Sequence, residues 1–351
     1  MSINKKYIGI LSIVTAMLLS ACSSDISEVQ TASAEDKSAG DKIHVMAYTA
    51  PFISAVRSDT PEPSGFSAYT PDSKTVMGIY MMLPEDWTNP NEEKITYINN
   101  KWHAYFEVEA DKTYTTYGYM PKAEDMSSTL VKSTADEATL SITGMKPITT
   151  EDICIITGVK NALEGLKEGQ FSWYWPIGDD NYYIHLLMDH LYAKAQFRMV
   201  IDADYAQLRI IKLKKMTLST DKGSIDATIS LTHNTAGTSP VSSATYTASD
   251  GENTVVIYTS DEGTALDITT PLVIDACFAP TLSGNLTMVT TYDVYNRKNQ
   301  LIRKNCTATN KVPDLEAVRA QQVILNLTIN PTYLNVLSDP DLDNPTVKPN
   351  R

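Results

Sequence analysis

Apolar positions recur with a period of two along most of the chain, in short runs separated by turn residues, which is the signature of half-buried strands. Ile43, Val45 and Ala47 alternate with polar or partly polar neighbours and predict a strand over 43–49. Residues 75–83 (TVMGIYMML) are apolar almost throughout and predict a central strand. Residues 101–108 (KWHAYFEV) alternate, with Trp102, Ala104, Phe106 and Val108 on one face, and shorter strands are expected at 95–98, 114–119, 140–142 and 153–156. The apolar segment 183–201 is the longest after residue 22. Its later half alternates at Ala193, Ala195, Phe197 and Met199, so strands are expected there rather than a helix. Further strands are expected at 208–218, 224–231, 254–258, 272–278, 286–294, 301–306 and 323–329.

Helical signals are few. Residues 162–169 fit one turn, and 314–321 (DLEAVRAQ) read as a short helix. Turn residues every 8–12 positions or so predict an all-β chain of antiparallel β-sandwiches with few short helices. The aromatic cluster at 171–176 and the turn Gly178-Asp179-Asp180-Asn181 interrupt the strands. They place the expected boundary between two tandem domains, 42–180 and 181–331.

The first 22 residues break the pattern. Lys5 and Lys6 precede an apolar run from Ile8 to Leu19, then Leu19-Ser20-Ala21-Cys22. The run is too short for a membrane span and reads as an export signal over 1–21. Its end resembles a bacterial lipobox, which implies cleavage before Cys22 and lipidation of Cys22; an ordinary signal peptide containing a cysteine is the alternative. Residues 22–41 are polar, with small and acidic side chains, and read as a flexible spacer between lipid and fold. The expected product is a tethered, exported lipoprotein that works outside the cytoplasm.

Charge narrows the partners. The chain has 351 residues and a net charge of −13. Removing the two signal lysines leaves 27 basic against 42 acidic residues, or −15. An acidic surface repels phosphate backbones, so no nucleic-acid partner is expected.

Candidate chemistry is sparse. No metal-protease, nucleophile-elbow, phosphate-loop or dinucleotide motif is present, so no enzyme and no cofactor are expected. Cys154, Cys277 and Cys306 are not a disulfide framework, and no pair has metal-site spacing. Cys154, inside Ile153-Cys154-Ile155-Ile156, reads as a small buried hydrophobe, and Cys277 and Cys306 pair only if their strands are neighbours. His185 and His190 flank an apolar run and read as core or edge histidines. Acids at 339, 341 and 343 alternate as in a calcium loop but lack its glycine and distal glutamate, so no metal is expected. Trp173 and Trp175 suit either packing at a domain joint or an exposed platform for sugar rings.

The tail carries a second unusual strand. Residues 323–329 (VILNLTI) alternate and close a domain. After Pro331 a further apolar piece holds Tyr333, Leu334, Val336 and Leu337, before the proline- and acid-rich 338–345. An extra exposed apolar strand is an aggregation hazard unless something pairs with it. It either folds back on its own domain or is made to pair elsewhere.

Together these features resemble the fimbrillin family, the pilins of type V pili in Bacteroides-like bacteria. The resemblance rests on the lipobox at Cys22, the strand 43–49 with the arginine-bearing loop after it, and Met77-Gly78-Ile79-Tyr80-Met81. It rests also on residues 190–197 (HLYAKAQF) and on 323–345. Residues 153–156 depart from the family's more acidic, tyrosine-containing strand. The resemblance implies transthyretin-like sandwiches and a lipidated precursor at the outer membrane. It also implies a trypsin-like cut after an arginine, assigned here to Arg57. That cut removes the strand bearing Ile43, Val45 and Ala47. The groove then takes the C-terminal strand of another subunit, through Tyr333, Leu334, Val336 and Leu337. The implied partners are other pilin subunits in a head-to-tail polymer and host or bacterial surface receptors, with adhesion as the outcome. The alternative is a monomeric glycan-binding lipoprotein using Trp173 and Trp175.

Overall fold

The computed structural model describes residues 43–330, apart from 50, 55–66, 70, 72–74, 84–85, 100, 105–112, 134–136, 158–171, 175–181, 233–240, 281, 283–285 and 313–316. Among the described residues the chain is all-β with one short helix. It opens with β1 (Ile43–Thr49), β2 (Ile53–Ser54) and β3 (Ser67–Ala68). Local strands follow: β4 (Val76–Met82), β5 (Glu93–Ile98), β6 (Lys101–Ala104) and β7 (Thr113–Met120). Next come β8 (Ser127–Lys132), β9 (Glu137–Met145), β10 (Ile148–Thr149), β11 (Cys154–Thr157) and β12 (Ser172–Tyr174). Strands β13 (Tyr182–His190) and β14 (Ala193–Ile201) lead to helix α1 (Ala203–Leu208). The chain continues with β15 (Arg209–Thr232), β16 (Val241–Ala265), β17 (Leu272–Phe278), β18 (Leu286–Asn296), β19 (Leu301–Val312) and β20 (Gln321–Ile329).

The strands form three sheets. The first runs β3-β1-β13-β11-β7-β4-β5-β6, with β12 also paired to β7. The second runs β10-β17-β14-β20-β2, and the third β19-β18-β15-β9-β8 with β16 on β15. Pairing crosses residue 180 in both directions. Strand β13 completes the first sheet, while β8, β9 and β10 join strands from beyond residue 200. The sheets therefore do not divide at residue 180. Which strands become neighbours is settled by long-range pairing.

The continuous apolar run of β4 has a simple cause: its sheet is covered on both faces. Met77 and Ile79 enter a core with Trp102, Met120, Ile156, Leu186 and Met188. Tyr80 and Met82, one residue out of phase, enter the main core with Tyr117, Tyr119, Phe197 and Phe278. Strand β14 shows the expected alternation, buried at every second residue from Ala193 to Ile201.

Two expectations are corrected. Residues 317–320 form no helix; they turn into β20, with Ala320 in the left-handed region at φ 62°. The helix lies at α1 instead, where the Asp202 side chain accepts from the Tyr205 backbone N–H at 3.0 Å as an N-cap. The segments read as separate strands at 208–218 and 224–231 are one strand, β15, paired with β16 through register shifts around residues 220–225. Asp221-Lys222-Gly223-Ser224 therefore makes a bulged stretch, not a turn.

Strands β4 and β7 approach closely at two glycines. A Cβ on Gly118 would lie 2.2 Å from the Gly78 carbonyl oxygen and 2.7 Å from Ile156 Cδ1. Gly118→Ala is expected to destabilise the chain by about 2 kcal/mol or more through overpacking. Urea unfolding checks this; a change within about 0.5 kcal/mol, the usual range for an unconstrained surface site, would contradict it.

Candidate assembly seam and its polar junction

Strand β1 is held in an unusual way. It pairs in parallel with β13 from Ile43↔Tyr182 to Thr49↔Met188. On its other edge only Tyr48 and Thr49 pair, with Ala68 and Ser67 of the short β3, and the Tyr69 N–H donates to the Ala47 carbonyl at 2.8 Å. Among the described residues, β1 is therefore the outermost long strand of its sheet at this end. Ala47 and Thr49 are buried, so this phase of the strand faces the core it shares with Leu186 and Met188.

Among the described residues, each parallel ladder involves a strand from one end of the described chain. The three parallel ladders are β1 with β13, β14 with β20, and β2 with β20. The other ladders among the described residues are antiparallel. Parallel strands cannot be joined by a tight turn, so these pairs are made by segments arriving from far along the chain.

After Thr49 the chain leaves the first sheet and reaches the edge of the second. The Ile53 N–H donates to the Ala320 carbonyl at 2.9 Å, and Ile53 and Ser54 pair with Gln321 and Gln322. Beyond Gln322, β20 has no described strand on that side. Its alternation is as expected: Val323, Leu325, Leu327 and Ile329 pack on the main core, while Asn326 and Thr328 are exposed.

A polar junction sits where these elements meet. Arg319 Nη1 donates to Asp189 Oδ2 at 2.8 Å and to the His190 carbonyl at 3.1 Å, tying the end of β13 to the start of β20. Cys154 on β11 and His190 on β13 are register partners, so they lie side by side. Asp152 precedes Cys154 by two residues. Its Oδ2 lies 2.5 Å from His190 Nδ1, and the Cys154 thiol donates to the same oxygen at 2.9 Å. The Phe52 ring stacks on His190 at a centroid distance of 3.6 Å and an interplanar angle of 16°. Burial, and then the Asp152 charge, push the Cys154 thiol well above its ordinary range.

The sequence reading of Cys154 needs correcting. It is fully buried, as an apolar residue would be, but its sulfur has polar partners. His190 is a core histidine with a carboxylate beside it. Sequence spacing misses this cluster because residues 152, 154 and 190 meet only through strand register. Cys277 and Cys306 are both free and lie in different sheets, so their strands are not neighbours.

The other candidate residues divide as follows. Ile43, Val45 and Ala47 lie on β1 beside β13. Trp173 lies on β12, paired with Tyr114 of β7. Cys22, Arg57, Trp175, Tyr333, Leu334, Val336 and Leu337 lie outside the described residues.

No protein-family model matches the sequence, and no curated protein matches it. Among solved structures, the chain is similar to a candidate cell adhesion protein from Bacteroides uniformis. Identity is 13% and the TM-score 0.38, over 82% of this chain and 92% of that one. It is also similar to a fimbrial protein from Bacteroides vulgatus, at 15% identity and TM-score 0.31, over 72% of this chain and 89% of that one. A fimbrial protein from Bacteroides ovatus matches at 10% identity and TM-score 0.36, over 82% of this chain and 50% of that one.

Proposed function

We propose that this chain is a non-enzymatic structural subunit of a surface fimbria, exported as a precursor lipidated at Cys22, that assembles by strand exchange and serves adhesion. The observation that carries the reading is the seam of β1. A long strand lies at the end of its sheet, held by parallel pairing to β13 and leading into the segment with Arg57. A cut after Arg57 releases β1 and β2 together. It leaves the β13 edge open along seven residue pairs, from Tyr182 to Met188. Main-chain groups so exposed take up a strand from another chain, with alternating side chains setting register. Tyr333, Leu334, Val336 and Leu337 supply that strand. A head-to-tail contact of this kind does not close on itself and yields a filament.

Limited trypsin digestion of the purified chain, read by mass and by an unboiled denaturing gel, tests this. The expected result is a cut after Arg57, rather than only after Lys42 or Lys74, with a ladder of resistant multimers. A chain cut there that stays monomeric would overturn strand exchange and favour a stand-alone binding lipoprotein.

A further inference from the structure

Asp152, Cys154 and His190 present a carboxylate, a thiol and an imidazole whose ligand atoms all lie within 4.8 Å of one another. Two chemistries use these three groups. In a nucleophilic relay the carboxylate holds one ring nitrogen and the nucleophile sits at the other. Here both partners gather at the same nitrogen: Asp152 Oδ2 is 2.5 Å and Cys154 Sγ 3.9 Å from His190 Nδ1. The three donors converge on one point instead of standing in series, which suits a shared cation. A second observation agrees. Asp152 Oδ1 is buried without a hydrogen-bond partner, and a buried carboxylate oxygen is costly unless something positive satisfies it.

We propose that Asp152, Cys154 and His190 form a metal site for a borderline-soft divalent cation, Zn2+ in the first place, covered by Phe52. One sulfur, one nitrogen and one oxygen donor fit zinc, whereas calcium and magnesium require oxygen ligands throughout. Zinc bonds of about 2.0–2.3 Å in tetrahedral geometry separate donor atoms by about 3.3–3.6 Å. Asp152 and His190 therefore move apart, and Cys154 and His190 closer, by less than about 1 Å. Binding releases the thiol proton to solvent and displaces the proton shared by Asp152 Oδ2 and His190 Nδ1, to Nε2 of the ring or to solvent, leaving a thiolate, a carboxylate and a neutral imidazole as ligands with no change of oxidation state. The fourth position is open to water or a small ligand.

Phe52 lies just before β2 and upstream of Arg57, stacked on the imidazole. On the assembly reading above, the cut that frees β1 also carries Phe52 away. The site is then covered in the precursor and open in the processed subunit. This timing rests on that reading; the site itself does not.

The test is titration of the reduced, tag-free full chain with Co2+ as a probe for zinc. One equivalent is expected to bind, with tetrahedral visible bands and a near-ultraviolet thiolate charge-transfer band, both displaced by Zn2+. Cys154→Ala should abolish the charge-transfer band, and Asp152→Asn should weaken binding at least about tenfold. Cys277→Ser should leave both unchanged, with circular dichroism confirming the fold of each variant. Absence of the bands, or a charge-transfer band that survives Cys154→Ala, overturns the site. Phe52→Ala should speed uptake without altering stoichiometry, and an unchanged rate overturns the cover. None of these readings depends on a cut at Arg57, so this site and strand exchange fail separately.

Discussion

A chain truncated after Pro331 is expected to be cut at Arg57 as readily as the full chain and to remain monomeric, with multimers falling to background. Removing β1 exposes the β13 edge along seven residue pairs, several of them beside the core that holds Leu186 and Met188. Each buried backbone group left without a partner costs roughly 1–3 kcal/mol. An edge of this length therefore strongly favours any strand that fits it. Residues 332–339 lie between Pro331 and Pro340, and prolines cannot continue a ladder, so this stretch has the length to replace the seven residues of β1. One face of this stretch carries Tyr333 and Leu337 and the other Leu334 and Val336, so either register offers two apolar side chains to the face where Ala47 is buried. Size-exclusion chromatography of the digested chain gives the answer. Multimers formed equally well without residues 332–351 would mean that the donor is another segment. Arg57→Ala in the full chain is expected to block assembly at the earlier step.

Stability is expected to collapse above pH 10, because the core holds phenols that cannot ionise in place. Burial pushes Tyr117, Tyr119, Tyr192 and Tyr246 well above the ordinary tyrosine range, and Tyr69 is raised by burial and then by the charges of Cys154 and Asp152. Tyr205 is pushed up to about 12. The Tyr192 hydroxyl donates to the Lys146 carbonyl and the Tyr246 hydroxyl to the Leu191 carbonyl, each at 2.7 Å. The folded values are raised, so above pH 10 the unfolded chain binds fewer protons than the folded one. The stability these groups contribute is complete below pH 10 and is lost as pH rises from there. Each group removes up to about 1.4 kcal/mol per pH unit within its window. The four that are almost fully buried, Tyr117, Tyr119, Tyr192 and Tyr205, together remove on the order of 5 kcal/mol by pH 11, a large share of a typical domain's 5–15 kcal/mol. The buried thiols of Cys154 and Cys277 act in the same direction. Urea midpoints at pH 8 and pH 11, followed with tyrosinate absorbance, check this. Tyrosinate appearing gradually while the midpoint stays constant would contradict it.

The strands themselves were legible because side-chain alternation is a local property. Ala193, Ala195, Phe197 and Met199 predict one face of β14, and Val323 to Ile329 predict the inward face of β20; both alternate as read. The apolar run of β4 was correctly read as central, with β7 and β5 on either side. The helix at 203–208 escaped notice because one capping aspartate and six residues give little periodicity. The expected helix at 314–321 does not form at its described end, where the left-handed turn at Ala320 leads into β20.

What the sequence alone determined is the all-β class, the phase of most strands, the acidic surface and the unusual strand at 43–49. Only the tertiary structure decided which strands became neighbours: β13 with β1, β9 with β15, and β20 in parallel with both β14 and β2. The same pairing brought Asp152, Cys154 and His190 together. The physical reason is that a strand's period is written in consecutive residues. Its partner is chosen by a competition among distant edges, each closing a long loop for a similar gain in hydrogen bonds and buried area.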